Sequence, residues 1–183
     1  MRMLRIIAMI MLVGSAACSF WVAAESRFVS GESGYEVELP PGWKRGFATS
    51  DGLTLTRDGI PLQLIRIARV PFDKELPHTK RKLVKGMLPQ EVAEVIIDNL
   101  RSNKAIANVK PLENLPATVG GYDGFKIRYA FQTKENLKKS GIYYGVLVDQ
   151  WYYYLYFEAP ARHYFPRDEA AFERLKESFK ITL

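Results

Sequence analysis

The sequence predicts an α+β domain in which a mostly antiparallel sheet of about seven to nine strands is covered by two main helices. Apolar and polar residues alternate along several short segments, most clearly from Phe125 to Phe131, as expected for strands with one buried face. Tight turns join these segments, so most neighbouring strands should pair as antiparallel hairpins. Two other segments carry apolar residues at helical spacing.

The strands before the first helix are predicted from alternation and from the turns between them. Tyr35–Leu39 alternates apolar and acidic residues, and Pro40-Pro41-Gly42 ends this strand before Trp43, a predicted core residue. Further strands are predicted over residues 46–49, 53–56 and 62–70. Residues 71–88 then interrupt the pattern with two prolines and a glycine.

Pro89 is the predicted start of the first helix, because proline is well tolerated at the first helical position, and Glu91 lies favourably in the first turn. The apolar face of this helix comprises Val92, Val95, Ile96 and Leu100. A second helix is predicted over residues 167–180. Its apolar side comprises Phe172, Leu175 and Phe179.

The strand pattern returns between the two helices. Gly120-Gly121 is predicted to be a tight turn, and residues 134–141 a polar hairpin loop. The strands predicted here cover residues 106–109, 116–119, 125–131, 142–148 and 151–157. Asp149-Gln150 joins the last two of these strands, so we interpret Asp149 as a turn residue.

The first 24 residues have the layout of a bacterial export signal. Arg2 and Arg5 precede the apolar run Ile6–Val13, and small residues follow up to Cys18, the only cysteine. Residues 1–24 are therefore predicted to be the signal, residues 25–33 a polar tether, and residues 34–183 one α+β domain. Since no second cysteine is present, the domain is expected to fold without a disulfide.

Three outcomes are open for the export segment, and each places the domain outside the cytoplasmic membrane. A lipoprotein signal peptidase cuts before Cys18, which then carries a lipid anchor, although Ser15 stands where the lipoprotein pattern has an aliphatic residue. Alternatively, ordinary signal peptidase cuts after Val22-Ala23-Ala24. In the third outcome the uncharged stretch Ile6–Ala24 stays as an anchor, since it approaches the about 20 residues needed to span a bilayer.

The order of the motifs resembles one known superfamily. Tyr35–Trp43 has the pattern Tyr-x-Val-x-Leu-Pro-x-Gly-Trp, and a central helix and consecutive hairpins follow. The last strand is rich in tyrosine and ends at Ala159-Pro160, before a closing helix that contains Phe172 and ends at Ser178-Phe179. This arrangement over residues 34–183 resembles the PsbP-like α/β/α sandwich superfamily, which includes DcrB-type exported bacterial lipoproteins. The resemblance implies a non-enzymatic accessory or assembly role, and it carries over no catalytic motif.

Residues suited to catalysis or metal binding are few. The two histidines, His78 and His163, have neither a cysteine partner nor the spacing of a zinc site. Gly120–Gly124 is rich in glycine but precedes a strand, whereas a phosphate-binding loop precedes a helix. We therefore predict no catalytic residue, no metal site and no cofactor.

Two features suggest binding. The basic segment, comprising Lys80, Arg81, Lys82 and Lys85, is suited to contact an anionic membrane surface, or it is an ordinary solvated loop. On the last strand Tyr152, Tyr154 and Tyr156 face one side. These three tyrosines form an aromatic platform if no helix covers them, and otherwise they belong to a strand buried on both faces.

The functional prediction is a non-enzymatic binding or assembly module of the cell envelope, periplasmic or lipid-anchored. Its expected partner is an envelope protein or an anionic membrane surface. Nucleic acid is not expected, because Lys and Arg (26) exceed Asp and Glu (20) only modestly. One alternative is a carrier of a small apolar ligand, which requires a closed apolar cavity between sheet and helix. The other is an enzyme whose site is assembled from scattered residues.

Overall fold

The computed structural model describes residues 21–46 and 52–182. Its helices are α1 (Pro89–Arg101) and α2 (Tyr164–Ser178). Its strands are β1 (Val22–Ala23), β2 (Arg27–Ser30), β3 (Tyr35–Glu38), β4 (Lys44–Arg45), β5 (Gly52–Thr56), β6 (Leu64–Pro71), β7 (Ile106–Val119), β8 (Tyr122–Thr133), β9 (Lys138–Val148), β10 (Trp151–Pro160) and β11 (Lys180–Ile181). Cys18 lies outside the described residues. None of the helices described is long and apolar enough to cross a membrane.

The described strands form two sheets, in which neighbours pair antiparallel. The main sheet has eight strands in the order β1-β4-β5-β6-β10-β9-β8-β7, and a small sheet has the order β11-β3-β2. Strands β5 and β6 form a hairpin, and so do the consecutive strands from β7 to β10. Strands β6 and β10 also pair, although α1 and three strands lie between them in the chain. The predicted α+β class with a mostly antiparallel sheet and two helices is confirmed.

The main sheet has a hydrophobic core on each face. Helix α2 and the small sheet cover one face, where Trp43, Leu155, Phe157 and Phe172 are buried. On the opposite face, α1 packs mainly over β7, β8 and β9. The 72–88 loop contributes Leu83 to the core on this second face. Strand β10 lies in the middle of the sheet and contributes alternate residues to both cores, so the fold is a three-layer sandwich.

Two glycines in β9 make room for aromatic rings from the neighbouring strand. Gly145 is paired with Phe125, and Gly141 is paired with Tyr129. A Cβ atom on Gly145 would lie 2.4 Å from the Phe125 ring, and one on Gly141 would lie 2.3 Å from the Tyr129 ring. The rings therefore occupy the space of the missing side chains, an arrangement known to stabilise glycine in strands.

The structure differs from the sequence-based expectations at the N-terminal side of the domain. Residues 25–33, predicted to be a tether, include β2, which pairs with β3 in the small sheet. The alternating pattern of Tyr35–Leu39 does correspond to a strand, but β3 belongs to the small sheet because β2 and β11 supply its partners. The strand predicted at 46–49 falls largely outside the described residues.

Three boundaries between the helices and near the end also differ. The two strands predicted on either side of Pro111 are one strand, β7, which tolerates prolines because it lies at the edge of the sheet. The predicted loop 134–141 is shorter, since β9 begins at Lys138. Helix α2 begins at Tyr164, three residues before the predicted start, and α1 begins at Pro89 as predicted.

Candidate functional site

The basic segment lies on the α1 side of the main sheet, and the structure fixes its backbone. Asn99 of α1 accepts hydrogen bonds through Oδ1 from the backbone N–H groups of His78, at 3.0 Å, and Thr79, at 3.3 Å. Leu83 is buried in the core beneath α1. The loop is thus held to the helix on one side and to the sheet on the other.

All four cationic side chains of the basic segment are exposed to solvent. Arg81 forms an ion pair with Asp98 of α1 at 2.9 Å, and both of these side chains are about half exposed. In the described part of the chain, no ion pair within 4.0 Å involves Lys80, Lys82 or Lys85. Three of the four charges are therefore available to an anionic surface.

The tyrosines of β10 face the same side of the sheet as the basic segment, and they are less exposed than an open platform requires. Tyr152 is 1% exposed, and its hydroxyl donates a hydrogen bond to the Tyr143 hydroxyl at 3.1 Å. Tyr154 and Tyr156 are half-buried. Their rings stack with that of Tyr143, with centroids 5.7 and 5.9 Å apart. Both faces of β10 belong to hydrophobic cores, as in the second interpretation of these tyrosines.

A polar cluster continues this face beyond the tyrosines. The Tyr129 hydroxyl donates a hydrogen bond to Glu158 Oε1 at 2.6 Å, passing over Gly141, which is paired with both residues. Burial raises the pKa of the Glu158 carboxyl, and burial lowers the pKa of the nearby Lys139 ammonium. The alternation along β10 predicts that Glu158 lies on this face. Its partners Tyr129 and Lys139 come from β8 and β9, so the sequence of β10 alone does not reveal them.

A second polar network joins the β5–β6 turn to the N-terminal part of α2. The Asp168 carboxylate is buried and accepts hydrogen bonds from Arg57 at 3.1 Å, from Gln63 at 3.1 Å and from Arg167 at 2.8 Å. Arg167 and Gln63 also bind Asp58, and hydrogen bonds from Gln63 and Arg167 lower the pKa of Asp58. Because every polar group named here has a partner, the network is suited to fixing the turn in place.

Sequence reasoning missed this network, although one signal for it was present. Asp168 lies three residues after Phe165 and four before Phe172, which places a carboxylate on the buried face of α2. A charged residue at such a position requires partners. The identity of these partners depends on the contact between α2 and a turn more than 100 residues away in the chain.

A cleft of about 530 Å³ lies where α1 begins, beside the edge strand β7. Its walls include Pro89 and Gln90 of α1, five consecutive residues of β7 (114–118), and Asp123 of β8. Asn114 is fixed by a hydrogen bond from its Nδ2 to Glu94 Oε1 of α1 at 3.0 Å. The cleft therefore combines apolar and polar lining residues with the Asp123 carboxylate, and it lies beside the edge of the main sheet.

Beside the cleft, a second and smaller cavity of about 50 Å³ lies between α1 and the sheet, next to Val92, Phe125 and Gly145. This volume is well below the several hundred Å³ that a carrier of a small apolar molecule needs. His78 and His163 are both exposed, and the His163 ring packs edge-on against Tyr164.

No protein-family model and no curated protein sequence matches this chain. Its fold is similar to that of several solved structures. Cyanobacterial PsbP (CyanoP) from Synechocystis sp. PCC 6803 aligns with a TM-score of 0.60 and 13% identity, covering 92% of this chain and 98% of that chain. LpqN, involved in cell envelope biogenesis of Mycobacterium tuberculosis, aligns with a TM-score of 0.54 and 12% identity, covering 81% of this chain and 83% of that chain.

A third similar structure is the Ran-binding protein Mog1p of Saccharomyces cerevisiae, with a TM-score of 0.58 and 8% identity, covering 87% of this chain and 96% of that chain. Identities this low establish the fold alone. The fold expected from the Tyr35–Trp43 pattern and the order of elements is thereby confirmed. The chain has the α/β/α sandwich fold of the PsbP-like proteins.

Proposed function

We propose that this protein is an exported, non-enzymatic binding module of the bacterial cell envelope, oriented on an anionic membrane surface by its basic segment. The observation that carries the proposal is the placement of that segment. Four exposed cationic side chains sit on a loop whose backbone is fixed by Asn99 and whose Leu83 is buried. Clustered Lys and Arg side chains near an anionic leaflet contribute about 1 kcal/mol each to membrane binding.

The last residues of the predicted export segment support one of the three processing outcomes. Val22 and Ala23 form β1, which pairs with β4 at the edge of the main sheet, and the Ala24 N–H donates to the Trp43 carbonyl at 2.9 Å. Cleavage after Ala24 would remove these contacts, and an anchor spanning Ile6–Ala24 would draw the same residues into the bilayer. Cleavage before Cys18 would keep the contacts. We therefore favour the lipid-anchored form, which places the domain within reach of the membrane.

The similarity to LpqN supports the proposed location, since that protein is involved in cell envelope biogenesis. Location is tested by fractionating cells that express the full chain and by mass spectrometry of the mature N-terminus. We expect envelope fractionation and a diacylated Cys18 at the N-terminus. A cytosolic protein with an intact N-terminus would contradict the proposal.

Membrane binding is tested by charge reversal. Replacing Lys80, Arg81, Lys82 and Lys85 with Glu should abolish co-sedimentation with vesicles of phosphatidylglycerol and phosphatidylethanolamine at low salt. The matched control reverses four other exposed lysines, Lys104, Lys110, Lys134 and Lys138. Both variants alter the charge of four cationic side chains equally, so equal loss of binding would indicate a general charge effect and would contradict a role for the basic segment.

A further inference from the structure

The outer edge of β7 presents backbone groups that no described strand pairs with. Strand β7 is the last strand of the main sheet, and its only described neighbour is β8. It is joined to β8 by Gly120 and Gly121, both at positive φ, with Val119 paired to Tyr122. A two-residue turn of this kind closes on a hydrogen-bonded pair, and hydrogen-bonded and non-hydrogen-bonded pairs then alternate along the hairpin.

This alternation determines which residues of β7 direct their backbone groups away from the sheet. Counting back from Val119, Ala117 and Leu115 are hydrogen-bonded to β8, while Thr118, Pro116 and Asn114 direct their backbone groups outward. Proline at position 116 fits this assignment, because an edge strand tolerates proline where the N–H would face solvent. Two N–H groups and three carbonyl groups therefore face outward over these five residues.

The three outward-facing residues of β7 all line the 530 Å³ cleft. The cleft thus joins an unpaired strand edge to a concave surface at the start of α1. Exposed apolar side chains lie beside it, with Leu88 54% and Leu115 51% exposed. An extended peptide added to this edge would complete the backbone hydrogen bonds and cover these side chains, the recognition mode called β-augmentation.

The charges around the cleft indicate the chemistry of such a peptide. Asp123 lines the cleft, and Glu94 is hydrogen-bonded to Asn114 in its wall. Asp123 lies two residues before Phe125, whose ring is in the core on the α1 side, so the Asp123 side chain is on the same side of the sheet as Glu94 of α1. The described residues that line the cleft include no lysine, arginine or histidine.

We propose that the edge of β7 between Asn114 and Thr118 binds an extended segment of a partner protein, with lysine or arginine alternating with β-branched apolar residues. Cationic side chains of the added strand face Asp123 and Glu94, and its backbone pairs with the outward-facing groups of β7. This inference rests on the proposed role as a binding module and names the class of partner. It does not depend on export or on the basic segment.

The probe is an eight-residue peptide of alternating lysine and valine, titrated into the ¹⁵N-labelled processed protein and followed by NMR. We expect the amide signals of Asn114 and Thr118 to shift and their hydrogen exchange to slow, with smaller changes at Leu115 and Ala117. A peptide with glutamate in place of lysine should bind more weakly, and so should one N-methylated at alternate backbone positions. Equal binding of all three peptides, or no binding at millimolar concentration, would overturn the proposal.

Backbone variants separate strand pairing from side-chain contact. Thr118→Pro removes one outward N–H and should weaken peptide binding about three- to tenfold, the effect of one hydrogen bond. Thr118→Val keeps the N–H and is the matched control. Pro116→Thr adds an outward N–H and should strengthen binding, a gain that a merely destabilised protein would not show. Unchanged affinity in both the Thr118→Pro and Pro116→Thr variants would refute strand pairing.

Two further outcomes are informative. Concentration-dependent shifts at Asn114 and Thr118 without peptide would identify a second copy of the chain as the occupant and would overturn the partner-peptide assignment. A protein that fractionates with the envelope and binds anionic vesicles, but leaves these two amides unchanged on peptide addition, would keep the proposed function and overturn the edge site alone.

Discussion

The substitution Asp168→Ala tests whether the polar network holds the β5–β6 turn against α2. The Asp168 side chain is 1% exposed, and Gln63 is completely buried, so Gln63 loses an acceptor that water does not replace. An unsatisfied buried polar group costs about 1–3 kcal/mol. The side chains of Arg57 and Arg167 are 45% and 32% exposed, so their lost ion pairs add only about 0–1 kcal/mol.

We therefore expect Asp168→Ala to lower the free energy of unfolding by about 2–3 kcal/mol, or the Tm by about 5–10 °C for a chain of this size. Urea denaturation followed by tryptophan fluorescence measures this change, and an unaltered m-value would show that the compactness of both states is retained. Asp98→Ala is the control, because Asp98 forms its ion pair with Arg81 at the surface, where both side chains are about half exposed, and its removal should cost less than about 1 kcal/mol. Equal costs for the two variants would refute the view that burial makes Asp168 the centre of the network.

Three other measurements test the opposite side of the sheet. Gly145→Ala should destabilise the protein by about 1–3 kcal/mol, because the added Cβ meets the side chains of Phe125 and Tyr152. Gly31→Ala is the control and should be neutral, because open space surrounds that position. Equal urea midpoints for the two variants would contradict the expected clash at Gly145. Burial raises the pKa of Glu158 above its usual 4.5, so its contribution to stability is present below about pH 4.5 and is lost as pH rises through the raised pKa. Glu158→Gln should therefore gain stability relative to the wild type between pH 4.5 and 7 in urea titrations, and a pH-independent difference would count against it. Asn99→Ala removes the acceptor for the backbone N–H groups of His78 and Thr79, so proteolysis within the 72–88 loop should become faster while global stability changes little. An unchanged rate of cleavage would show that Asn99 does not hold the loop.

The sequence was sufficient for features that depend on local pattern. Alternation along Phe125–Phe131 and helical spacing after Pro89 reflect which face of each element is buried, and the structure confirms both elements. Pro111 and Pro116 were misleading, because a proline ends a central strand but is tolerated at a sheet edge. Whether β7 is an edge strand depends on the order of strands in the sheet, and that order arises from contacts between distant parts of the chain.

For the candidate binding residues too, the local pattern predicts which face a side chain is on, whereas its exposure depends on distant parts of the chain. Alternation places Tyr152, Tyr154 and Tyr156 on one face of β10, and the structure agrees. Their exposure depends on what lies over that face. Helix α1 packs mainly over β7, β8 and β9, while the 72–88 loop contributes Leu83 to the same core as the tyrosines. The tyrosine-rich strand is therefore an interior strand in which Tyr152 is buried and hydrogen-bonded to Tyr143, while Tyr154 and Tyr156 are half-buried. No pattern within the strand distinguishes this arrangement from an exposed platform.

The burial of β10 on both faces has a consequence for where binding can occur. A sheet covered on both faces by helices has few open surfaces except its edges and the loops that cross it. One edge ends in the two-residue strand β1, and the other edge is β7, which is 14 residues long. The two bulges and Pro111 interrupt the outer edge of β7, as is typical of edges protected against uncontrolled pairing. The stretch from Asn114 to Thr118 keeps a regular register with β8 and lacks only the outward N–H of Pro116. An edge blocked along part of its length and open beside a cleft favours one short extended partner over unlimited sheet growth.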